Sequence, residues 1–562
     1  MSTTPHSGLQ TLDYLAVVGY LAFTVWIVHV SSRKQSTTDD FFLAGRRMPW
    51  LAVGLSIMAT LLSTITYLGS PGEMIAYGVA YFAGYLAIPI VALVVVKVWI
   101  PFFMRLHLTS AYEYLERRFD YRARLLGGLL FLLLRLGWMS VVVYTASLAM
   151  VEMAREPWTA AVSWLGLSGS AAPLYALIAV VGVAATIYTC LGGMRAVIWT
   201  DVVQAVMLFG GVFLIIGYVA WVSGTGPVTW WQRASEASPR HMTPILFSTD
   251  ISVRTTVVNS IMSILFWNLC THVCDQVVLQ RYFTTSSLKA ARNSFLVNIV
   301  TNISIGLLLS LSGLALLYFY LEHPDYLPEG MSPFSQADKV MPYFYSHQLA
   351  AGFGGLILAS FLCDAMQTVV SGVNSIAAIA TKDVIERVWP DAKSNDLTLA
   401  RWVTIGVGGV TTVMAVYVAY FNAGHPELRI FDLLPRMFNM FLGPLAALFL
   451  IGMFVRRATA RVAIGAVLAA LLASFVWSWW AQLPTMFEKL YLPGLADAWR
   501  SILGVDADGR NKQPTIFLAV GAPCLAGLAA AWLMSLVFGS NDHPGVDYTW
   551  KRTMLRPPQE VE

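Results

Sequence analysis

The chain has 562 residues, 57% of them hydrophobic and 12% charged, with a formal net charge of +4. Soluble domains carry about 25% charged residues, so this composition excludes an ordinary water-soluble protein. The small positive balance forms no basic patch that would fit a nucleic acid.

About thirteen apolar runs of bilayer-crossing length follow one another. They cover 11–31, 48–69, 76–103, 124–152, 173–191, 196–222, 254–280, 292–321, 349–380, 400–421, 428–454, 460–483 and 513–538. The N-terminus, MSTTPHSGLQTLDY, has no basic n-region, so the first run reads as a retained span and not a cleaved signal. Basic residues cluster after alternate spans: Arg33, Lys34, Arg46 and Arg47; Arg105, Arg117, Arg118, Arg122 and Arg124; Arg281, Lys289 and Arg292; Lys382, Arg387, Lys393 and Arg401; Arg456, Arg457 and Arg461. The positive-inside rule then sets the N-terminus outside and the C-terminus, with Lys551 and Arg552, in the cytoplasm of a cell bounded by a plasma or bacterial inner membrane. Long outer connections are expected at 223–253, where Trp230 and Trp231 suit an interface, at 322–348 and at 484–512. The tail, 539–562, is polar and reads as disordered. Cys190, Cys270, Cys274, Cys363 and Cys524 lie in or beside apolar runs and give no disulfide framework.

Four polar stretches interrupt the spans. In 360–381, Asp364, Gln367, Thr368 and Ser371 fall at i, i+3, i+4 and i+7, on one helical face. An intramembrane carboxylate costs about 3 kcal/mol, so that face belongs against protein or water. Its oxygens and single charge suit a small hard cation; the alternative is a polar seam joining helices. In the second span, Ser56, Thr60, Ser63, Thr64 and Thr66 either satisfy a broken helix or bond back onto their own turns. Arg135 sits among apolar residues of the fourth span. It reads as a clamp for an anionic solute or as the partner of an internal acid such as Asp201 or Asp364. The seventh span carries Asn268, Thr271, His272 and Asp275. His272 is either a solute or gate contact or a hydrogen-bonded interior histidine. The polar density predicts non-helical or weakly helical backbone at 60–64 and at 268–272. No nucleophile–base pair or metal cluster has catalytic spacing, so enzyme chemistry is not expected.

Several segments together carry a resemblance. They are DFFLAGRRMPWLAVGLSIMAT (40–60), LTSAYEYLERRF (108–119), YTCLGGMRAVIWTDVVQ (188–204), DQVVLQRYFTTSSLKAARNS (275–294), the run 360–383 ending TKD, and GPLAALFLIGMFVRRAT (443–459). In order and content they resemble the sodium/solute symporter family, which includes carriers of sugars, proline, pantothenate and sialic acid. The resemblance implies an all-α, polytopic membrane protein whose core is a five-plus-five inverted repeat with broken first helices. The repeats would be 48–222 and 254–454. Residues 1–47 would add an extra helix and a cytoplasmic loop, 223–253 an extracellular loop, 455–538 two C-terminal helices, and 539–562 a cytoplasmic tail.

By motif match, the resemblance puts the principal sodium site at the carbonyls of Ala59 and Leu62 with Asp364, Gln367 and Thr368. The family pattern has a small residue and two hydroxyls on the last helix, so Gln367 and Asp364 depart from it. An amide and a carboxylate remain good ligands for a hard cation, while a buried carboxylate is also able to carry a proton. Asp201 and Ser371 match a possible second ion site, although Val370 offers no ligand there; the alternative for Asp201 is an ion pair or a helix-end contact. Solute contacts are expected at Ser63, Thr66, Tyr81, Tyr85, Arg135, Asn268 and His272. The expected function is sodium-coupled symport of a small organic solute, carboxylate-bearing in view of Arg135. The alternatives are a proton-coupled transporter and a transporter-like sensor without productive transport. Lipid surrounds such a protein, and no protein or nucleic-acid partner is required.

Overall fold

The computed structural model describes residues 9–555, apart from 33–42, 107, 109, 165, 167–168, 239–240, 242, 381–384, 386–396, 425–429, 506–510 and 542. Arg33, Lys34, Lys382, Arg387 and Lys393 of the orientation argument therefore lie outside the described residues, as do 556–562 of the tail and the TKD that ends the 360–383 motif. The helices used below are α1 (Thr11–Ser32), α2 (Trp50–Leu62), α3 (Thr64–Tyr77), α4 (Tyr121–Met153), α5 (Ala172–Ser223), α6 (Val257–Cys274), α7 (Gln276–Phe283), α8 (Leu288–Glu322), α9 (Phe353–Ile379) and α10 (Met440–Phe454).

Among the described residues, eleven helices are long and apolar enough to cross a membrane, or up to twelve with the bent pair α2–α3 counted as one span. The remaining expected span, 173–191, is met by the shorter apolar stretch Ala172–Ile187 at the start of α5. Helices dominate because a bilayer offers backbone amides no water, so each segment must satisfy its own.

Two breaks matter most. Between α2 and α3 the chain bends by 62° at Ser63, whose φ of 17° and ψ of 158° lie outside helical space. Of 60–64, expected to depart from a helix, only Ser63 does so: 60–62 close α2 and Thr64 opens α3. The second expectation is corrected. Residues Asn268–His272 are regular helix within α6, and the break falls one turn later, at Asp275 (φ −83°, ψ 114°), between α6 and α7. Asp275 favours that position because its carboxylate accepts the N–H of Val277 at 2.9 Å, capping the next helix from within the chain.

The chain forms two compact units. One comprises Met1–Val79, Leu136–Thr243 and Arg281–Phe431, and the other Ala80–Arg135, Pro244–Gln280 and Asp432–Glu562. In the first unit α5 lies centrally, packed by α9, α2, α1 and helix Leu397–Ala423, while α8 runs along α2 and α3. In the second, α10 packs against Ala460–Trp479, Gly521–Phe538 and α6. Arg118, expected in a cytoplasmic loop, is fully buried there. Its guanidinium donates to the carbonyls of Gly452 (2.8 Å), Val455 (2.9 Å) and Arg456 (3.3 Å), closing the C-terminal end of α10.

Candidate ion and solute sites

In the first unit, α2 ends and α3 begins at Ser63, whose carbonyl accepts the N–H groups of Thr66 (3.0 Å) and Tyr67 (3.1 Å) in the first turn of α3. Asp364 of α9 meets the start of α3: its Oδ2 accepts both the N–H and the hydroxyl of Thr64. Its Oδ1 accepts the side-chain amide of Gln204 on α5 at 2.9 Å. Asp364 is thus an acceptor in every one of these contacts, the role an ionised carboxylate plays. Two buried oxygens beside this cluster have no hydrogen-bond partner among the described residues, the hydroxyl of Ser63 and the carbonyl Oε1 of Gln204. The carbonyls of Ala59 and Leu62 belong to the last turn of α2, where no intrahelical donor follows. Gln367 and Thr368 are buried one turn along α9. Oxygens with spare lone pairs around one carboxylate fit a small hard cation.

A second network lies alongside. Asp201 of α5 accepts from the hydroxyl of Ser56, the amide of Gln367 and the guanidinium of Arg281, the last at 3.1 Å. Arg281 of α7 also donates to Ser56 Oγ (2.8 Å), Thr60 Oγ1 (2.6 Å) and Ser371 Oγ (3.0 Å). Neither Arg281 nor Asp201 is exposed at all. Asp201 and Ser371, expected as a possible second ion site, are thus gathered around a guanidinium. Formally the two networks hold two carboxylates, Asp201 and Asp364, against one arginine, which leaves one negative charge for a monovalent cation.

Gln204 and Arg281 are site residues not expected from the sequence, and Asp275, singled out there as a polar residue of the seventh span, was not expected as the partner of Arg135. Gln204 was visible as a polar residue one turn after Asp201 within an apolar run. Arg281 looked like an ordinary inside-positive loop charge, and only the tertiary structure buries it.

In the second unit, Arg135 pairs with Asp275, its Nε at 3.2 Å from Oδ1 and its Nη2 on Oδ2. The arginine therefore holds the residue at which α6 breaks, a partner different from the Asp201 and Asp364 weighed from sequence. Asn268 donates back to the carbonyl of Ile264 at 2.8 Å. His272 is fully buried, and the neighbouring Thr271 hydroxyl has no partner among the described residues. Tyr81 and Tyr85 lie on a 3-10 stretch, Val79–Ala87, so they do not stack one above the other as on an α-helix. Tyr81 packs its ring against Phe517 with centroids 5.9 Å apart. A Cβ on Gly84 would sit 2.9 Å from the carbonyl oxygen of Ser260, so glycine lets this stretch lie directly on α6. Ser63 and Thr66 belong to the first unit, at the break and in the first turn of α3.

Broken apolar helices with carboxylates, amides and hydroxyls at the breaks are the architecture of a membrane transporter of small solutes. A sequence model of the sodium:solute symporter family matches residues 41–471. The chain is 32% identical over 472 residues to the sodium/sialic acid symporter NanT of Aliivibrio fischeri, covering 83% of this chain and 87% of that one. It is 30% identical to the sodium/sialic acid symporter SiaT of Proteus mirabilis, over 82% of this chain and 88% of that one. Identity to sodium-coupled monocarboxylate transporter 1 of Homo sapiens is 29%, over 83% and 72%. A solved substrate-bound, outward-open Na+-coupled sialic acid symporter superposes with a TM-score of 0.74 at 26% identity, covering 95% of this chain and 99% of that one. The chain belongs to the sodium:solute symporter family. It is a multi-pass membrane transporter that couples a small organic solute to sodium.

Proposed function

We propose that the solute is a carboxylate-bearing organic anion, imported together with one sodium ion bound at Asp364. The observation that carries this reading is the Asp364 cluster at the Ser63 break. There, both carboxylate oxygens act as acceptors, and the partnerless oxygens of Ser63 and Gln204 lie beside them. Ala59, Leu62, Gln367 and Thr368 complete the ion site. Arg281 neutralises Asp201, so one further positive charge balances the two networks, in favour of one ion over two. Relatives named for sialic acid and for monocarboxylates share the carboxylate as the common chemistry. Within the second unit, Tyr81, Tyr85, Asn268 and His272 would contact the solute. Arg135 would either meet its carboxylate directly or hold Asp275 in place for it.

The proposed repeats run 48–222 and 254–454, with broken first helices α2–α3 and α6–α7. The N-terminus lies outside and the C-terminus in the cytoplasm of a cell membrane. Sodium would favour the outward-open state by joining α9 to the α2–α3 break, and solute would favour closure; each acts by its differential affinity for the two states. One sodium ion moving with a singly charged anion carries no net charge, so the inward sodium concentration gradient, and not the membrane potential, would drive import.

The test is uptake of radiolabelled sialic acid and lactate into proteoliposomes. An inward sodium gradient should drive accumulation of one of them, and potassium should not replace it. Accumulation driven by a pH gradient and indifferent to sodium would instead assign the coupling to a proton on Asp364. Saturable solute binding without net uptake would make the protein a sensor.

A further inference from the structure

Helix α1 lies outside the family match, which begins at residue 41, yet it carries a buried carboxylate. Asp13 is 4% exposed. Its Oδ1 accepts the N–H groups of Gly352 and Gly355, both at 2.8 Å, and its Oδ2 accepts the N–H of Gln10 at 2.8 Å. Gly352 and Gly355 belong to the start of α9, the helix that carries Asp364. A helix start leaves N–H groups unpaired, and the residue before the helix commonly caps them with its side chain. Gly352, at φ +95°, has no side chain to do so. The cap comes from another helix, and its negative charge also suits the positive end of the α9 dipole.

The two helices approach closely. A Cβ on Gly355 would fall 2.0 Å from the carbonyl oxygen of Asp13 and 2.4 Å from its Cα. Two turns on, Tyr20 packs on Ala359, joined by Val17 and Leu21 of α1 and by Val203 and Met207 of α5. Those α5 residues flank Gln204, the amide partner of Asp364. The α9 helix is unbroken from Phe353 through Asp364, a rise of about 16 Å at 1.5 Å per residue. A shift or rotation at its start is therefore carried to the ion-binding carboxylate.

We infer that Asp13 is a positioning residue for sodium: through its cap on Gly352 and Gly355, α1 fixes the height and rotation of α9 and so sets the affinity of the Asp364 site. The inference rests on the sodium reading above. It is tested on purified full-length protein by titrating NaCl at constant ionic strength against choline chloride and following intrinsic tryptophan fluorescence. Asp13→Ala should raise the sodium half-saturation about tenfold, the scale of one charge-assisted hydrogen bond. Asp13→Asn should raise it less, because its oxygen still accepts from both glycines. Gly355→Ala should act in the same direction by pushing α1 away. Leu15→Ala, on the exposed side of α1, should leave it unchanged. Should Asp13→Ala fail to fold, Asp13→Asn and Gly355→Ala carry the comparison. Variants with lowered thermal stability but the parent's sodium half-saturation would overturn the inference and reduce Asp13 to a structural cap. A parent protein with no sodium response would overturn the sodium reading, and this inference with it.

Discussion

Arg281 and Asp201 form an ion pair in which neither side chain reaches solvent. Removing one partner of such a pair leaves a buried charge, at a cost of about 3–5 kcal/mol. Arg281→Met should therefore strongly lower the thermal unfolding temperature, and adding Asp201→Asn should restore part of it. A double variant no more stable than the single one would show that the two residues are not coupled. The same cycle decides the role of Arg135. If Arg135 only holds Asp275, Arg135→Met with Asp275→Asn should recover both stability and uptake. If the guanidinium meets the solute carboxylate, stability returns and uptake does not. At Asp364, substitution by Asn keeps an oxygen but loses the charge, so sodium half-saturation should rise about tenfold or more, with uptake recovered at high sodium. An unchanged sodium dependence of uptake would remove Asp364 from the ion site.

At the scale of elements, the connection 223–253 holds α3 in place through His241. This side chain is fully buried, and its Nε2 lies 2.9 Å from the carbonyl of Met74, near the end of α3. Burial lowers its pKa below the usual histidine value, opposed by the backbone hydrogen bonds to Met74 and Ser238. The unfolded chain therefore binds the proton more readily. The stability contributed by the neutral ring is fully present above the ordinary pKa of about 6.5 and is lost as pH falls below it. The unfolding temperature should fall from pH 7.5 to 5.5, and His241→Gln, which still donates but cannot ionise, should flatten that fall. Equal slopes in the two proteins would exclude His241 as the source. The break at Asp275 has a comparable local cause. An acid that can cap the following helix sits at the boundary, whereas Asn268 to His272 bond along a continuous helix and give no reason to unwind.

For the whole molecule, orientation gives a direct prediction. In a cysteine-free background, Thr249→Cys should react with a membrane-impermeant maleimide added to intact cells. Ser286→Cys, in the connection after α7, should react only once the membrane is opened. The opposite pattern would invert the proposed topology.

The spans were legible because apolar run length answers directly to bilayer thickness. The polar face of α9 was legible because side chains at i, i+3, i+4 and i+7 must share one side of a helix, and the break after α2 because hydroxyls crowd an apolar run there. The sequence by itself thus determined an all-helical membrane protein with Asp364 on a polar face turned away from lipid. Which groups Asp364, Asp201 and Arg135 meet was decided only by the tertiary structure. Those partners (Thr64 and Gln204, Arg281, Asp275) lie from 80 to 300 residues away along the chain. Helical periodicity fixes the face a residue occupies on its own helix, but pairing across such separations depends on how whole helices pack. The cap that Asp13 lends to α9 is set in the same way, by an approach of two backbones that no local pattern records.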